Sequence, residues 1–460
     1  MKKILFNGLK VGVLGLGRSG IAAANLLKRK GAHVLVSEAR GIKEAAKSVK
    51  YLIKNIEKEF GGHSKKLLEQ DVIVKSPGIS SHLPILSRAV KKCIPVWSEI
   101  GLALKLITPG SLVAITGTNG KTTTTTLIGE MFKAAARDTV VAGNIGSPLA
   151  NLTGRIRGKT SVILEISSYQ LEDTPEFHPD IALILNITPD HIEHHGSMRK
   201  YVDAKAVIFS NQTKKDFCVL NYDDLACRKL AQRCPSKIVF FSRKEKLQKG
   251  VYFLDGKIHV NFSNQKYSFA PLLRIPGQHN LENALAATSA AAAAAIPREI
   301  IEESIEDFRG VEHRIEYVAD IEGVKYVNDS KCTNVDSTRV ALESFSSPVW
   351  LILGGRDKGS PYTPLKELVT RKVKGILLIG EASRKIHKEL SGTTQFYICR
   401  NLSNAVRKAR SLALPGEIVM LSPACASFDQ FKDYEDRGHQ FKRLVFGMKP
   451  LSHLKRYSVK

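Results

Sequence analysis

Short apolar runs rich in β-branched residues alternate with longer helical patterns along almost the whole chain, and this alternation most limits the folds open to it. Residues 11–14, 34–37 and 72–74 form such runs near the N-terminus, and 112–115, 139–141, 162–165 and 181–186 form them in the middle. Residues 324–327, 349–353, 375–379 and 418–421 follow. A run apolar on both faces needs cover on both sides, which a parallel sheet with helices on each face supplies. The expected class is therefore α/β. Two joints divide the chain. Thr108-Pro109-Gly110 separates a helical pattern from a new strand, and the stretch 307–314 lies between an alanine-rich helix and a fresh set of strands. The expected domains are 1–109, 110–309 and 310–460, in keeping with roughly 150 residues per domain. The alanine run 290–295 continues the register of Asn280, Glu282 and Asn283 and reads as close helix packing.

Two glycine loops each follow a strand and open a helix. The first is Gly15-Leu16-Gly17-Arg18-Ser19-Gly20, with Glu38 at the end of the next strand. Glycines allow a tight turn and close backbone approach, and the helix N-terminus offers free N–H groups to a diphosphate. On these residues alone the loop is a ligand-free turn, a nicotinamide dinucleotide site or a site for another diphosphate such as UDP. The N-terminal domain is expected to be Rossmann-like.

The second loop is Thr116-Gly117-Thr118-Asn119-Gly120-Lys121-Thr122-Thr123. Its N–H groups suit phosphates, its lysine neutralises their charge, and the Thr122 hydroxyl suits Mg²⁺. Ile115 stands where the general P-loop pattern has glycine, so this is the shorter GTNGKT form. A P-loop ATPase-type parallel sheet follows for the central domain, and a second Rossmann-like sheet for the C-terminal one. Phosphoryl transfer also needs hard metal ligands. Glu165 ends one strand, and His191 lies just past another, beside Asp190. Lys205 falls in a helical pattern, and by its residues alone reads as a surface lysine.

Composition removes several alternatives. Lys and Arg number 69 against 44 acids, a net charge of +25. The basic residues are scattered and interrupted by acids, as in Arg243-Lys244-Glu245-Lys246, with no nucleic-acid-binding motif, so no nucleic-acid partner is expected. Seven cysteines without a CxxC pair suit a reduced compartment. Residues 1–6 faintly imitate a signal peptide, but Lys10 and Arg18 interrupt the apolar run, and no apolar stretch of about 20 residues is present. A cytoplasmic protein that does not insert in membranes is expected.

The motifs GTNGKT, Glu-x-Ser-Ser-Tyr-Gln from Glu165, Asn-x-Thr-Pro-Asp-His ending at His191, Ala-Lys-Ala around Lys205 and Gly-Gln-His-Asn-x-x-Asn-Ala from Gly277 occur in this order. The chain thereby resembles the Mur ligases, ATP-dependent amide-forming enzymes of peptidoglycan synthesis. The segments Asn328-Asp329-Ser330-Lys331-Cys332-Thr333-Asn334 and 421–431 (Leu-Ser-Pro-Ala-Cys-Ala-Ser-Phe-Asp-Gln-Phe) narrow the resemblance to the D-glutamate-adding member. It covers roughly residues 10 to 446.

The resemblance implies ATP contacts at Gly117, Thr118, Asn119, Gly120, Lys121, Thr122, Thr123, Asn280, Asn283, His313, Arg314 and Asp329. It implies two Mg²⁺ sites, with Thr122 and Glu165 at the first and His191 and a carbamylated Lys205 at the second; Lys121, Glu165, His191 and Lys205 would be the catalytic set. For UDP-N-acetylmuramoyl-L-alanine it points to Arg18, Ser19, Glu38, Ser76, Asn144 and Gln170. For D-glutamate it points to Lys331, Thr333, Lys358, Ser427, Phe428 and Tyr434. Cys332 stands where the family usually has alanine, and Tyr434 where phenylalanine is common. The implied reaction passes through an acyl phosphate, uses no cysteine and runs in a monomer; Cys425 reads as buried packing.

Overall fold

A computed structural model describes residues 5–80, 83–144, 146–190, 192–275 and 277–448. By contacts the chain divides into two compact units, residues 1–273 with 279–307, and residues 274–278 with 308–460.

The first unit holds two sheets. The N-terminal sheet contains β1 (Lys10–Leu14), β2 (His33–Glu38), β3 (Glu57–Phe60), β4 (Val72–Lys75) and β5 (Val96–Ser98) in the order β3-β2-β1-β4-β5. Every neighbouring pair in it is parallel. One face is covered by an apolar layer that includes Val11, Val13, Leu27 and Val36, and the other by a layer with Leu14, Leu35, Ile73 and Leu86. Burial on both faces explains why β1, β2 and β4 are continuous apolar runs. β3, with the sequence EKEF, lies at the edge and is partly exposed, so it carries no such signal.

The central sheet contains β6 (Ser111–Thr116), β7 (Thr139–Gly143), β8 (Ser161–Glu165), β9 (Ile181–Ile184), β10 (Phe217–Asn221), β11 (Lys237–Ser242), β12 (Gly250–Leu254), β13 (Lys257–Phe262) and β14 (Gln265–Phe269). Its order is β14-β13-β12-β11-β10-β9-β6-β8-β7. The ladder is parallel from β7 to β12, and β13 and β14 extend it as an antiparallel meander. The meander was not anticipated, because its strands alternate polar and apolar residues and lack a doubly buried run. The run expected as a strand over 181–186 stops at Ile184, and Leu185 and Asn186 turn towards the phosphate loop. Helix Gln278–Ala293 buries Ala284, Ala287, Ala290 and Ala291, the close packing that its small side chains imply. A further helix, Arg298–Asp307, precedes the joint at 307–314.

Within this unit the N-terminal and central sheets are joined by a buried ion pair, Lys75 Nζ to Asp173 Oδ2 at 2.8 Å. Beside it, the Ser98 N–H donates to the carbonyl of Asp173 at 3.0 Å.

The second unit holds β15 (Glu316–Ile321), β16 (Val324–Asn328), β17 (Val349–Gly354), β18 (Val373–Ile379), β19 (Gln395–Arg400) and β20 (Ile418–Leu421), ordered β15-β16-β20-β17-β18-β19. β15 runs antiparallel to β16 and the other pairs are parallel. Apolar layers cover both faces. All seven cysteines are free, and Cys425 is buried as expected. Among the described residues no helix is long and apolar enough to cross a membrane.

Candidate active site

β6 delivers the chain into the loop at 117–120, and helix Lys121–Ala134 leaves it. Gly120 has φ of +83°, and a Cβ there would lie 2.3 Å from Asn283 Oδ1, so glycine alone fits. Asn119 and Asn186 pair reciprocally: the Asn119 N–H donates to Asn186 Oδ1 at 2.8 Å, and Asn186 Nδ2 donates to the Asn119 carbonyl at 3.2 Å. The Thr118 hydroxyl donates to the Thr188 carbonyl at 3.1 Å. Lys121 Nζ folds back on the loop and donates to the carbonyls of Gly117 and Thr118, both at 2.8 Å. Thr122 and Thr123 are buried in the first turn. Asn283 accepts from the Thr124 hydroxyl at 3.3 Å and donates to Asn280 Oδ1 at 3.2 Å, so this asparagine pair lies directly against the loop.

Glu165 ends β8, opposite Ile115 in the ladder with β6. Its carboxylate is buried. Oε1 accepts from Asn144 Nδ2 at 2.8 Å, whereas Oε2 has no hydrogen-bond partner among the described residues. A buried carboxylate oxygen without a partner is costly unless a cation or proton completes it. With the Thr122 hydroxyl in the first turn of the helix that leaves the loop, the donor set fits a hard divalent ion such as Mg²⁺. Asn144, expected at the UDP-linked substrate, therefore also orients Glu165. Gln170 is buried; its Oε1 accepts from the Ser167 N–H at 3.0 Å and its N–H donates to Ser167 Oγ at 3.4 Å, forming the capping box of helix Ser168–Glu172.

Lys205 is not the surface lysine that its residues alone suggest. It lies on helix Met198–Ser210, is 2% exposed, and holds its Nζ 4.6 Å from the Tyr201 ring centre. Burial and then the charge of Lys121 push its pKa well below the usual lysine value, against Asp190 and Cys227. The Tyr201 hydroxyl lies 3.1 Å from Thr118 Oγ1, so one side chain links the loop to Lys205. Tyr201 went unnoticed in the sequence, where a helical tyrosine has no distinguishing signal. His191 lies outside the described residues.

At the N-terminal sheet, Arg18, Ser19, Glu38 and Ser76 sit at the ends of β1, β2 and β4, as parallel topology requires. Glu38 accepts from the Leu16 N–H at 2.7 Å and from Arg40 Nε and Nη2, both at 3.0 Å. Burial raises its carboxyl, but Arg40 and the Leu16 N–H outweigh that and hold it at about 2. The Ser76 hydroxyl donates to the Gly15 carbonyl at 3.3 Å. A Cβ on Gly20 would lie 2.0 Å from that carbonyl, which accounts for the glycine. Arg18 Nη2 donates to the carbonyl of Gly146, and Ser19 is partly exposed in the helix's first turn.

In the second unit, Asp329 follows β16. It accepts from the Ser422 hydroxyl at 2.7 Å and the Ile315 N–H at 3.2 Å. Burial pushes its carboxyl up to about 6, although Ser422, the Arg314 charge and the Ile315 N–H pull the other way. His313 is buried with φ of +65°, its Nδ1 2.9 Å from Asn328 Nδ2. Thus His313, Arg314 and Asp329 form one group. Lys331 Nζ lies 5.9 Å from the Tyr434 ring centre, and Lys358 Nζ donates to the Thr333 hydroxyl at 3.3 Å. Ser427 is buried, and Phe428 is 64% exposed.

Arg437, unnoticed in the sequence, ties the two C-terminal motifs together. It is fully buried; Nε donates to Ser330 Oγ at 3.0 Å, Nη2 to the Ser330 carbonyl at 2.8 Å, and Nη1 and Nη2 to the Cys425 carbonyl at 3.2 Å each. No signal marks it, since its partners are more than 100 and 12 residues away in sequence, backbone atoms among them.

Family models match three stretches: the Mur ligase MurD-like N-terminal domain over residues 9–98, the Mur ligase middle domain over 115–291, and the Mur ligase glutamate ligase domain over 313–425. The chain belongs to the Mur ligases. Its curated relatives carry the name of one member, UDP-N-acetylmuramoylalanine–D-glutamate ligase. The protein of Koribacter versatilis is 45% identical over 95% of this chain and 97% of its own length. That of Elusimicrobium minutum is 45% identical over 96% and 99%. Among solved structures, UDP-N-acetylmuramate-alanine ligase MurC from Thermotoga maritima superposes with a TM-score of 0.61 at 20% identity, covering 96% of this chain and all of that one. A pseudomurein peptide ligase type C from Methanothermus fervidus gives 0.58 at 19% identity, with the same coverage. At such identity these two structures speak for the fold.

Proposed function

We propose that this chain joins D-glutamate to UDP-N-acetylmuramoyl-L-alanine by way of an acyl phosphate, converting ATP to ADP and phosphate in peptidoglycan precursor synthesis. The observation that carries the reading is the buried Glu165 Oε2, which has no hydrogen-bond partner among the described residues, at the strand end paired with β6, which feeds the GTNGKT loop. The curated relatives support the choice of amino acid.

In this reading the domains are 1–109 for the UDP-linked substrate, 110–309 for ATP and 310–460 for the amino acid. The loop N–H groups from Gly117 to Thr123 and the Lys121 ammonium hold the ATP phosphates, and Asn280 and Asn283 face the adenine side. His313, Arg314 and Asp329 contribute nucleotide contacts from the C-terminal domain. Thr122 and Glu165 hold one Mg²⁺, and His191 and Lys205 a second. Bound Mg²⁺ supplies charge screening for phosphoryl transfer. Lys205 serves as a ligand once carbamylated: its neutral Nζ attacks CO₂, an N–C bond forms, a proton leaves and an anionic oxygen results. Burial and then the nearby Lys121 charge favour that neutral amine, against Asp190 and Cys227.

The substrate carboxylate attacks the terminal phosphorus, ADP leaves, and the D-glutamate amine then displaces phosphate from the acyl carbon. Lys331 and Lys358 match the two carboxylates of D-glutamate, with Thr333, Ser427, Phe428 and Tyr434 around them. Arg18, Ser19, Glu38, Ser76, Asn144 and Gln170 serve the UDP-linked substrate. The chain works in the cytoplasm as a monomer.

The test is phosphate release from ATP with UDP-N-acetylmuramoyl-L-alanine, comparing D-glutamate with L-glutamate, L-alanine and other amino acids. Release that requires D-glutamate supports the proposal. Release with another amino acid overturns the assignment of Lys331, Lys358 and Ser427 and keeps the ATP site.

A further inference from the structure

Among the described residues, a cluster outside those assigned above brings together side chains that bind metals. Glu172 ends helix Ser168–Glu172, and His194 and His195 end helix Ile192–His195. His194 Nε2 lies 3.0 Å from Glu172 Oε2, and His195 Nδ1 lies 2.8 Å from Glu172 Oε1. One ligand atom from each of the three residues lies within 4.8 Å of the others.

We propose that Glu172, His194 and His195 form a binding site for a divalent transition metal of the zinc or nickel class. Two imidazoles and one carboxylate are a donor set that such ions favour, whereas Mg²⁺ prefers oxygen ligands throughout. Zinc bonds of about 2.0–2.1 Å require ligand atoms roughly 3.3 Å apart. Both carboxylate–imidazole distances are already near that value, and His194 and Glu172 reach solvent, so small side-chain rotations close the set.

The surrounding contacts orient the ligands. His195 Nε2 lies 3.0 Å from the Ser168 hydroxyl. A proton on Nε2 donated to that hydroxyl leaves the Nδ1 lone pair aimed at Glu172, the second hydrogen bond by which ligating histidines are held. The Tyr169 ring packs on His194 with centres 4.1 Å apart, and Tyr201 packs on His195 at 5.1 Å. His195 is thus buried and fixed, and three protein ligands leave a coordination position for water. An ion here would clamp the helix that carries Gln170 to the segment leading into the Lys205 helix.

The site is tested on the full-length protein, stripped with chelator, in a Cys93→Ser background, because Cys93 is the exposed thiol. Zn²⁺ affinity is measured by competition with a chromophoric chelator, and Co²⁺ absorption reports coordination. The expected result is one site with nitrogen and oxygen ligands, lost in Glu172→Gln and in His194→Ala, and weakened about tenfold in Ser168→Ala. Lys205→Gln is expected to retain it, which separates it from the proposed carbamate site. Circular dichroism checks folding, and should one ligand variant fail to fold, the other decides. Equal Zn²⁺ affinity in wild type and either folded ligand variant overturns the proposal. So does loss in Lys205→Gln alone, or a thiolate charge-transfer band with Co²⁺.

Discussion

Replacing Arg437 with methionine tests whether one buried cation holds the two C-terminal motifs in register. Its guanidinium serves three acceptors: the Ser330 hydroxyl, the Ser330 carbonyl and the Cys425 carbonyl. Bonds from a charged donor contribute about 1.5–3 kcal/mol each, or about 6 kcal/mol for three acceptors. Methionine also relieves the cost of burying a charge. Burial, the largest effect on this side chain, holds its pKa down at about 10 instead of 12.5, equivalent to about 3 kcal/mol. The net expectation is a loss of about 3 kcal/mol from the second unit, more than a hundredfold in its folding equilibrium. Urea unfolding in a Trp97→Phe background measures this, since of two tryptophans only Trp350 then remains, buried in the second unit with its Nε1 donating to Glu417 Oε2 at 2.7 Å. Arg437→Lys should recover little, because an ammonium lacks the fork that reaches both backbone segments. A loss below about 1 kcal/mol, the size of an ordinary substitution, refutes the reasoning. In folded protein the KM for D-glutamate should rise more than the KM for ATP, because Lys331 and Ser427 lie in the segments that Arg437 joins.

Glu165→Gln should lower phosphate release by about a hundredfold or more while ATP still binds, because it removes charge stabilisation and leaves the loop intact; rapid-quench kinetics and nucleotide titration separate the two effects. Gly120→Ala forces a side chain into φ of +83° and against Asn283, so ATP affinity should fall by about tenfold or more, measured by calorimetry. Burial raises Glu99 to about 7, with the Ala150 N–H opposing. A carboxyl raised in the folded state gives stability that is present below its unfolded pKa and is lost as pH rises through the folded one. The first unit should therefore lose about 3 kcal/mol between pH 4.5 and 7, and Glu99→Gln should flatten that slope in pH-dependent denaturation. With ¹³C-labelled bicarbonate, the protein should show a carbamate carbon signal that disappears in Lys205→Gln; its persistence there assigns the modification elsewhere.

Much of the fold was legible because its strands are buried on both faces. β1, β6, β8, β17 and β20 are apolar at nearly every position, a pattern that needs helices above and below. Two of the strands that escaped notice lack that pattern: β3 is a charged edge strand, and β13 alternates buried and partly exposed residues in an antiparallel pair, whereas β10 (FCVLN) is buried between two parallel neighbours and was missed all the same. The phosphate loop was legible for a different reason. Its glycines, lysine and threonine act through backbone geometry within a few residues, so the chemistry and the sequence spacing coincide.

What the sequence determined by itself, then, is local: the doubly buried strands, the two glycine loops that follow them, and a carboxylate at the end of a strand. Only the tertiary structure decided which side chains lose water and meet. It turned Lys205 from a surface lysine into a buried amine beside Tyr201, buried Glu165 Oε2 with no hydrogen-bond partner among the described residues, and set Arg437 between segments distant in the chain. Desolvation and hydrogen bonding depend on neighbours brought together by packing across the sheet, and no window of adjacent residues contains them.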